Sequence, residues 1–291
     1  MGYLIDSHCH LHDREFFTDD EAEACLTRAH ERGVEKIICI GTSHEDSLAA
    51  REFALGHDHV YWTYGVHPSE AGKFDFTFSS AGLEFLSTSY TGPRAEPSLR
   101  DEPVRAVRNI RVKNSNQTFM LQKKQNHNLL VAIGEVGLDY HYEGYEREAQ
   151  IRLFEQMLQL AVDNGLPVSF HIREAFADFF PVVANFPEVR GVVHSFTDSK
   201  KVLKRILNET EFYIGVNGLA TYSTLPTPPL ERTLLETDAP FLAPAPFRGQ
   251  TNQPAYVAEV ANWLAGKLEV PLTEVERVTT ENTNQLFGLT F

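Results

Sequence analysis

The sequence predicts a single TIM-like (β/α)8 barrel, and three observations carry that prediction. Eight short β-rich runs alternate with helical stretches along the chain, several of those runs are continuously apolar, and six potential metal ligands fall where the runs end. Strands buried on both faces read as unbroken apolar runs. Ligands scattered along a chain converge only in a fold that gathers strand ends on one face, as an α/β barrel does.

The strand runs are 3–8, 36–41, 60–66, 129–134, 167–171, 191–195, 212–216 and 233–238. KIICIG and LLVAIG are the most apolar, and eight runs is the number a closed barrel needs. The clearest helix is 146–164, with Leu153, Phe154, Met157, Leu158, Ala161 and Val162 on one stripe and an exit at Gly165 and Pro167. Residues 19–31 and 44–54 read similarly, the second with Ser43 as N-cap, and 198–207 and 255–266 are shorter candidates. No internal repeat or linker divides the chain, so residues 1–291 read as one unit.

Two stretches break the rhythm. Residues 88–128 are polar, rich in Arg and Lys and without sustained periodicity, which predicts a disordered insertion, with a basic arm for nucleic acid as the alternative. Residues 219–230, where strand seven should cross to strand eight, carry Pro226, Pro228 and Pro229 and predict no helix. A barrel thin or open at that seam is the expectation.

The bulk properties narrow the function classes. The apolar fraction of 42% suits a globular core, and no run approaches the ~18 apolar residues of a membrane span. The opening MGYLIDSHCHLH has no basic region followed by an apolar one, so a cytoplasmic, or also nuclear, location is expected. Cys9, Cys25 and Cys39 are too few for a disulfide framework. A formal charge of −14 argues against a broad basic face for gripping duplex DNA, although bound cations can supply local positive charge in a small cleft.

The chemistry-bearing residues begin with Asp6-Ser7-His8-Cys9-His10. Alternate residues of a strand share a face, so Asp6, His8 and His10 point together, and two imidazoles there make half a site for a divalent cation. Glu135 follows the fourth strand, where a carboxylate can bridge two cations about 3.5 to 4 Å apart, with Asp139 expected to orient its neighbours. His171 and His194 end the fifth and sixth strands, in frame with Glu135, and Asp238 ends the eighth. Asp238 can both ligate and act as general base, so Asp238 and Glu135 are the catalytic candidates. His67 in GVHP, and Arg248 with Asn252 after the eighth strand, are expected to meet substrate, the latter pair as a phosphate clamp.

In order, DSHCHL, GVHP, GEVGLDY, HSF, ETDAPFLAP, RGQTNQP and ENTNQLFG resemble the TatD family of metal-dependent hydrolases and deoxyribonucleases, among the amidohydrolase-like barrels. The resemblance implies a barrel with one or two divalent ions, one held by His8, His10, Glu135 and Asp238, the other by Glu135, His171 and His194. It also implies cleavage of phosphodiester bonds in DNA, often from the 3′ end. The chain departs from the family at His12, in a longer stretch between GVHP and GEVGLDY, and in a shortened segment before ETDAP.

The reading is therefore a hydrolase of DNA phosphodiesters, a 3′–5′ exonuclease acting on single strands or 3′ ends, with two divalent ions (Mg²⁺, Zn²⁺ or Mn²⁺). A metal-dependent amidase or esterase on the same barrel, or a non-catalytic scaffold, are the alternatives. His and carboxylate ligands suit Zn²⁺ or Mn²⁺, with Mg²⁺ in a more hydrated mode.

Overall fold

Eight parallel strands pair in chain order: β1 Leu4–Cys9, β2 Val34–Cys39, β3 Val60–Tyr64, β4 Leu130–Asp139, β5 Val168–Arg173, β6 Gly191–Val193, β7 Tyr213–Val216 and β8 Thr233–Leu235. They belong to a computed structural model that describes residues 3–73 and 129–289. The sheet curls until its first and last strands meet. Asp238 N–H donates to the His8 carbonyl at 2.8 Å and His10 N–H to the Ala239 carbonyl at 2.7 Å, beside a Cys9–Ala239 bridge. The result is an α/β barrel, nearly closed, as the alternating pattern predicts. The insertion expected at 88–128 lies outside the described residues.

Helices cover the barrel: α1 Asp19–Glu31, α2 His44–Gly56, α3 Arg147–Asn164, α4 Phe176–Val183, α5 Lys200–Glu209, α6 Val257–Leu268 and α7 Leu272–Phe287. Their starts follow from the sequence. Thr18 and Glu21 form a reciprocal capping box on α1, and Ser43 and Ser199 cap α2 and α5 through their side chains. The α3 stripe buries Leu153, Phe154, Met157, Leu158 and Ala161, and Gly165 ends the helix in the left-handed region at φ 63°.

Two helices escape a reading by periodicity. In α4, FADFFPVV is apolar nearly all round and holds Pro181, so it shows neither a polar face nor an uninterrupted ladder. In α7 the buried face is polar: Thr279, Thr280, Asn282 and Thr283. Thr279 and Thr283 return their hydroxyls to the carbonyls four residues back, and Asn282 donates to Leu230 and Thr233. Past them Leu286, Phe287 and Leu289 join Ile5, Ile38, Val131, Val192 and Leu234 in an apolar plug where the strands begin.

The seam between β7 and β8 is paired, contrary to the expectation of an open barrel. Ile214 faces Thr233, Gly215 faces Leu234 and Val216 faces Leu235. No crossover helix forms there, as the prolines dictate. A 3₁₀ turn at Gly218–Thr221 leads into an extended stretch instead. Trp263 of α6 takes the place of the missing helix, lining one cavity with Leu225, Pro226 and Pro228 over Ile214 and Val216. Trp263 is half-buried, and Trp263→Ala is expected to lower stability by roughly 1 to 3 kcal/mol, measured as a lower urea midpoint at unchanged slope.

Candidate metal centre

The rim where the strands end is largely buried and dense in ionisable groups. His8 is fully buried, and Glu135, His194 and His10 are 5%, 5% and 8% exposed. Local backbone breaks aim these groups inward. The β1–β2 register shifts between Asp6 and Cys9, around His8, and the β4–β5 register shifts between Ile133 and Val136, around Glu135. Such bulges re-aim a side chain beside an active site. Gly134 (φ 147°) and Gly137 (φ 150°) bracket Glu135 in conformations that L side chains rarely adopt, and a Cβ on Gly134 would stand 2.7 Å from Ser169 Cβ.

Glu135 is the hub. Its Oε1 lies 2.6 Å from His171 Nδ1, 3.1 Å from His194 Nε2 and 3.9 Å from His67 Nε2. Its Oε2 lies 3.6 Å from His8 Nε2 and 3.9 Å from His10 Nε2. Asp238 Oδ1 completes that second group at 3.6 Å from both His8 Nε2 and His10 Nε2. The His8 Nε2 atom is buried with no hydrogen-bond partner, although two carboxylates stand near it. A converging set too widely spaced for hydrogen bonds and rich in lone pairs fits a divalent cation. The His8–His10–Asp238 and His67–Glu135–His171 groups each bring their ligand atoms within 4.8 Å of one another.

The far sides of the imidazoles are fixed. His10 Nδ1–H donates to the Ile40 carbonyl at 3.0 Å, leaving the Nε2 lone pair to the cleft. His171 Nε2 pairs with Asp139 Oδ2 at 3.0 Å, and Asp139 also accepts from His141 N–H. Asp6 works through backbone: its carboxylate accepts from the Thr237 N–H at 2.9 Å and the Thr237 hydroxyl at 2.5 Å, binding β1 to the loop that carries Asp238.

One contributor escaped the sequence reading. Glu236, fully buried, accepts from the Ser195 N–H at 2.6 Å and lies 3.4 Å from His194 Nδ1, behind the ring that faces Glu135. Room for it exists because position 215 is glycine: a Cβ there would collide with the Glu236 carboxylate. The signal was a second carboxylate two residues before Asp238 in LLETDAP.

Three expected substrate residues are placed differently from one another. His67 borders the hub, its Nδ1 accepting the Ser69 N–H at 3.2 Å, so the neutral ring carries its proton on Nε2, toward Glu135. Arg248 is exposed, with its guanidinium 4.6 Å over the Tyr222 ring. Asn252 corrects the expectation of a phosphate clamp. Its side chain is fully buried, and its amide is used up on the Thr237 carbonyl at 2.8 Å and the Phe241 carbonyl at 2.6 Å.

The electrostatics follow from the packing. Burial alone would raise the Glu135 pKa, but His194, His171 and His8 hold it well below the usual carboxylate range. Burial works against a charged His194, yet Glu135 and Glu236 raise its pKa well above normal. Burial and neighbouring His171 push His67 down to about 4, so it is neutral near pH 7.

Metal-dependent hydrolysis is the chemistry such a barrel supports: lone pairs converging at the strand ends, in a largely buried cleft. The comparisons agree. Residues 5–288 match the family model described as TatD related DNase, and the chain belongs to that family of metal-dependent hydrolases. An uncharacterized metal-dependent hydrolase of Bacillus subtilis, YabD, is 30% identical over 98% of this chain and 99% of its own. The 3′-5′ ssDNA/RNA exonuclease TatD of Pantoea ananatis is 28% identical over 98% of this chain and 100% of its own. The crystal structure of the Escherichia coli TatD homologue YjjV superposes with a TM-score of 0.71 at 27% identity, covering 99% of this chain and 98% of that one. Among the described residues no helix is long and apolar enough to cross a membrane.

Outside the centre, buried His12 bonds through its Nε2 to Oδ1 of partly exposed Asp46 at 2.9 Å. Burial opposes the charge on His12, but Asp46 and then Cys39 push its pKa up to about 9. A raised imidazole pKa stabilises the fold fully below its unfolded value of ~6.5 and loses that contribution as pH climbs through the folded value. The stability of chelated protein should therefore fall between about pH 6.5 and 9. In His12→Asn that part of the slope should vanish, as read from urea midpoints across the range.

Proposed function

We propose that the protein is a 3′–5′ exonuclease that hydrolyses phosphodiesters at the ends of single-stranded DNA or RNA, using two divalent cations. One observation carries this reading: the two oxygens of Glu135 face two different donor sets. His8, His10 and Asp238 gather toward Oε2, while His171 and His194 approach Oε1, the arrangement of a bridging carboxylate. The activity of the Pantoea ananatis relative supports the choice of substrate.

Divalent cations held there, Zn²⁺, Mn²⁺ or Mg²⁺, supply Lewis acidity toward a phosphoryl oxygen and acidify bound water. The chain's residues do the rest. Asp238, its pKa held low by His10 and His194 against burial, stays ionised to accept the proton of the attacking water. His67 offers its Nε2–H to a phosphoryl oxygen, and Arg248 offers its exposed guanidinium to a phosphate farther along the strand. Glu236 keeps His194 turned toward Glu135 from behind.

Chelation should abolish hydrolysis of a labelled single-stranded oligonucleotide, and adding back one cation should restore stepwise shortening. Glu135→Ala should be inactive and bind metal weakly, while Asp238→Asn should lose about 10² to 10⁴ in kcat. Full activity in either variant, shown folded by circular dichroism, would remove the assignment. Metal must displace protons from His10, His171 and His194, whose pKa values their carboxylate partners raise against burial. Apparent metal affinity should thus rise with pH through neutrality, seen as proton release in calorimetry with buffers of differing ionisation enthalpy. Glu236→Gln should weaken metal binding about 10- to 100-fold.

A further inference from the structure

Large apolar side chains are exposed at five places among the described residues, and four of these are aromatic residues on loops after β1, β4 or β8: Phe16, Tyr142, Tyr145 and Phe241. Phe16 and Phe241, each 46% exposed, meet edge to face with centroids 5.2 Å apart and planes at 77°. The Phe241 ring also lies 6.4 Å from the ring of His10. An aromatic surface thus borders one imidazole of the metal centre.

The pair stands on a fixed backbone. Phe241 N–H donates to the Asp238 carbonyl at 2.8 Å, and the Phe241 carbonyl accepts from the buried Asn252 amide at 2.6 Å. On the other loop, Asp13 accepts the Glu15 N–H through its side chain and the Phe17 N–H through its carbonyl. Phe17, 4% exposed, anchors that loop in the core and leaves Phe16 outside. The bland reading is that the two phenyl rings shield each other. They do so incompletely, since almost half of each remains in water beside a cleft.

We propose that Phe241, braced edge-on by Phe16, is the stacking platform for an unpaired nucleobase flanking the scissile phosphate. This rests on the nuclease reading and adds the side chain that recognises the unpaired base. The net charge of −14 leaves little general attraction for a polyanion beyond the local cations and Arg248, so uncharged contacts are needed to add affinity. Stacking on an aromatic ring does so for any base, because every base has a π-face. A base inside a duplex has both faces covered, so the platform favours single strands and frayed ends.

The test uses full-length protein with its activating cation and a short single-stranded DNA. Abasic tetrahydrofuran residues are placed in turn at the two nucleotides flanking the first scissile bond. For wild type, one abasic position should raise KM about five- to one-hundred-fold with kcat within about twofold, the range set by stacking of a single base. Phe241→Ala should raise KM on normal DNA to that level and no longer distinguish the abasic substrate. Phe241→Leu, still apolar but not flat, should behave like the alanine variant, and Phe241→Trp should restore discrimination. Metal-dependent cleavage in which Phe241→Ala discriminates as wild type does would overturn the platform and leave the nuclease reading standing. Failure of wild type to shorten any oligonucleotide would overturn that reading and the platform with it.

Discussion

A single carboxylate, Glu135, buried among imidazoles, is the constraint around which the rest of the rim is organised. A lone charge in that position would be intolerable, since desolvation of a carboxylate costs several kcal/mol even after relaxation. His8, His10, His67, His171 and His194 all reach it within 3.9 Å, from β1, β5 and the ends of β3 and β6. The requirement propagates outward. Each imidazole close to Glu135 needs its other nitrogen turned to a defined partner, which accounts for the Ile40 carbonyl behind His10 and Asp139 behind His171. Glu236 behind His194 needs Gly215 for its space.

The same economy explains the loop after β8. It carries Asp238 in a left-handed conformation, φ 60°, and must present that carboxylate without drifting. Asp6 holds the loop from β1 through Thr237, and Asn252 holds it from the following segment through two carbonyls. Neither residue faces the cleft chemically. Both are buried polar groups whose hydrogen bonds are made with backbone, which is what fixes a strained turn in one geometry.

Most of the fold was legible because its signals are local and repeated. β-rich runs marked all eight strands, and Ser43 and Gly165 marked helix ends. The helix α7 was hidden because its inward face is threonine and asparagine, satisfied by contacts that no local pattern encodes. Within the centre, residues at strand ends could be listed from spacing, but their partnerships could not. Asn252 reads as a substrate amide in RGQTNQP and turns out to be fully engaged with carbonyls from residues 237 and 241. Glu236 was overlooked for the opposite reason: a motif with two carboxylates was credited with one.

The wide spacing of the donor groups has a mechanical side. His8 and Asp238 approach within 3.6 Å although 230 positions separate them (238 − 8), one on β1 and the other on the loop after β8, where the first and last strands meet. A cation gripped by both would be a staple across one of the long loops the fold closes, and closing long loops is where a clip restricts the unfolded chain most. An ion bound there would therefore fasten the cylinder shut as well as arm it. The donor set is complete only once the chain has been made as far as Asp238, so no amino-terminal fragment that stops short of it can assemble the centre.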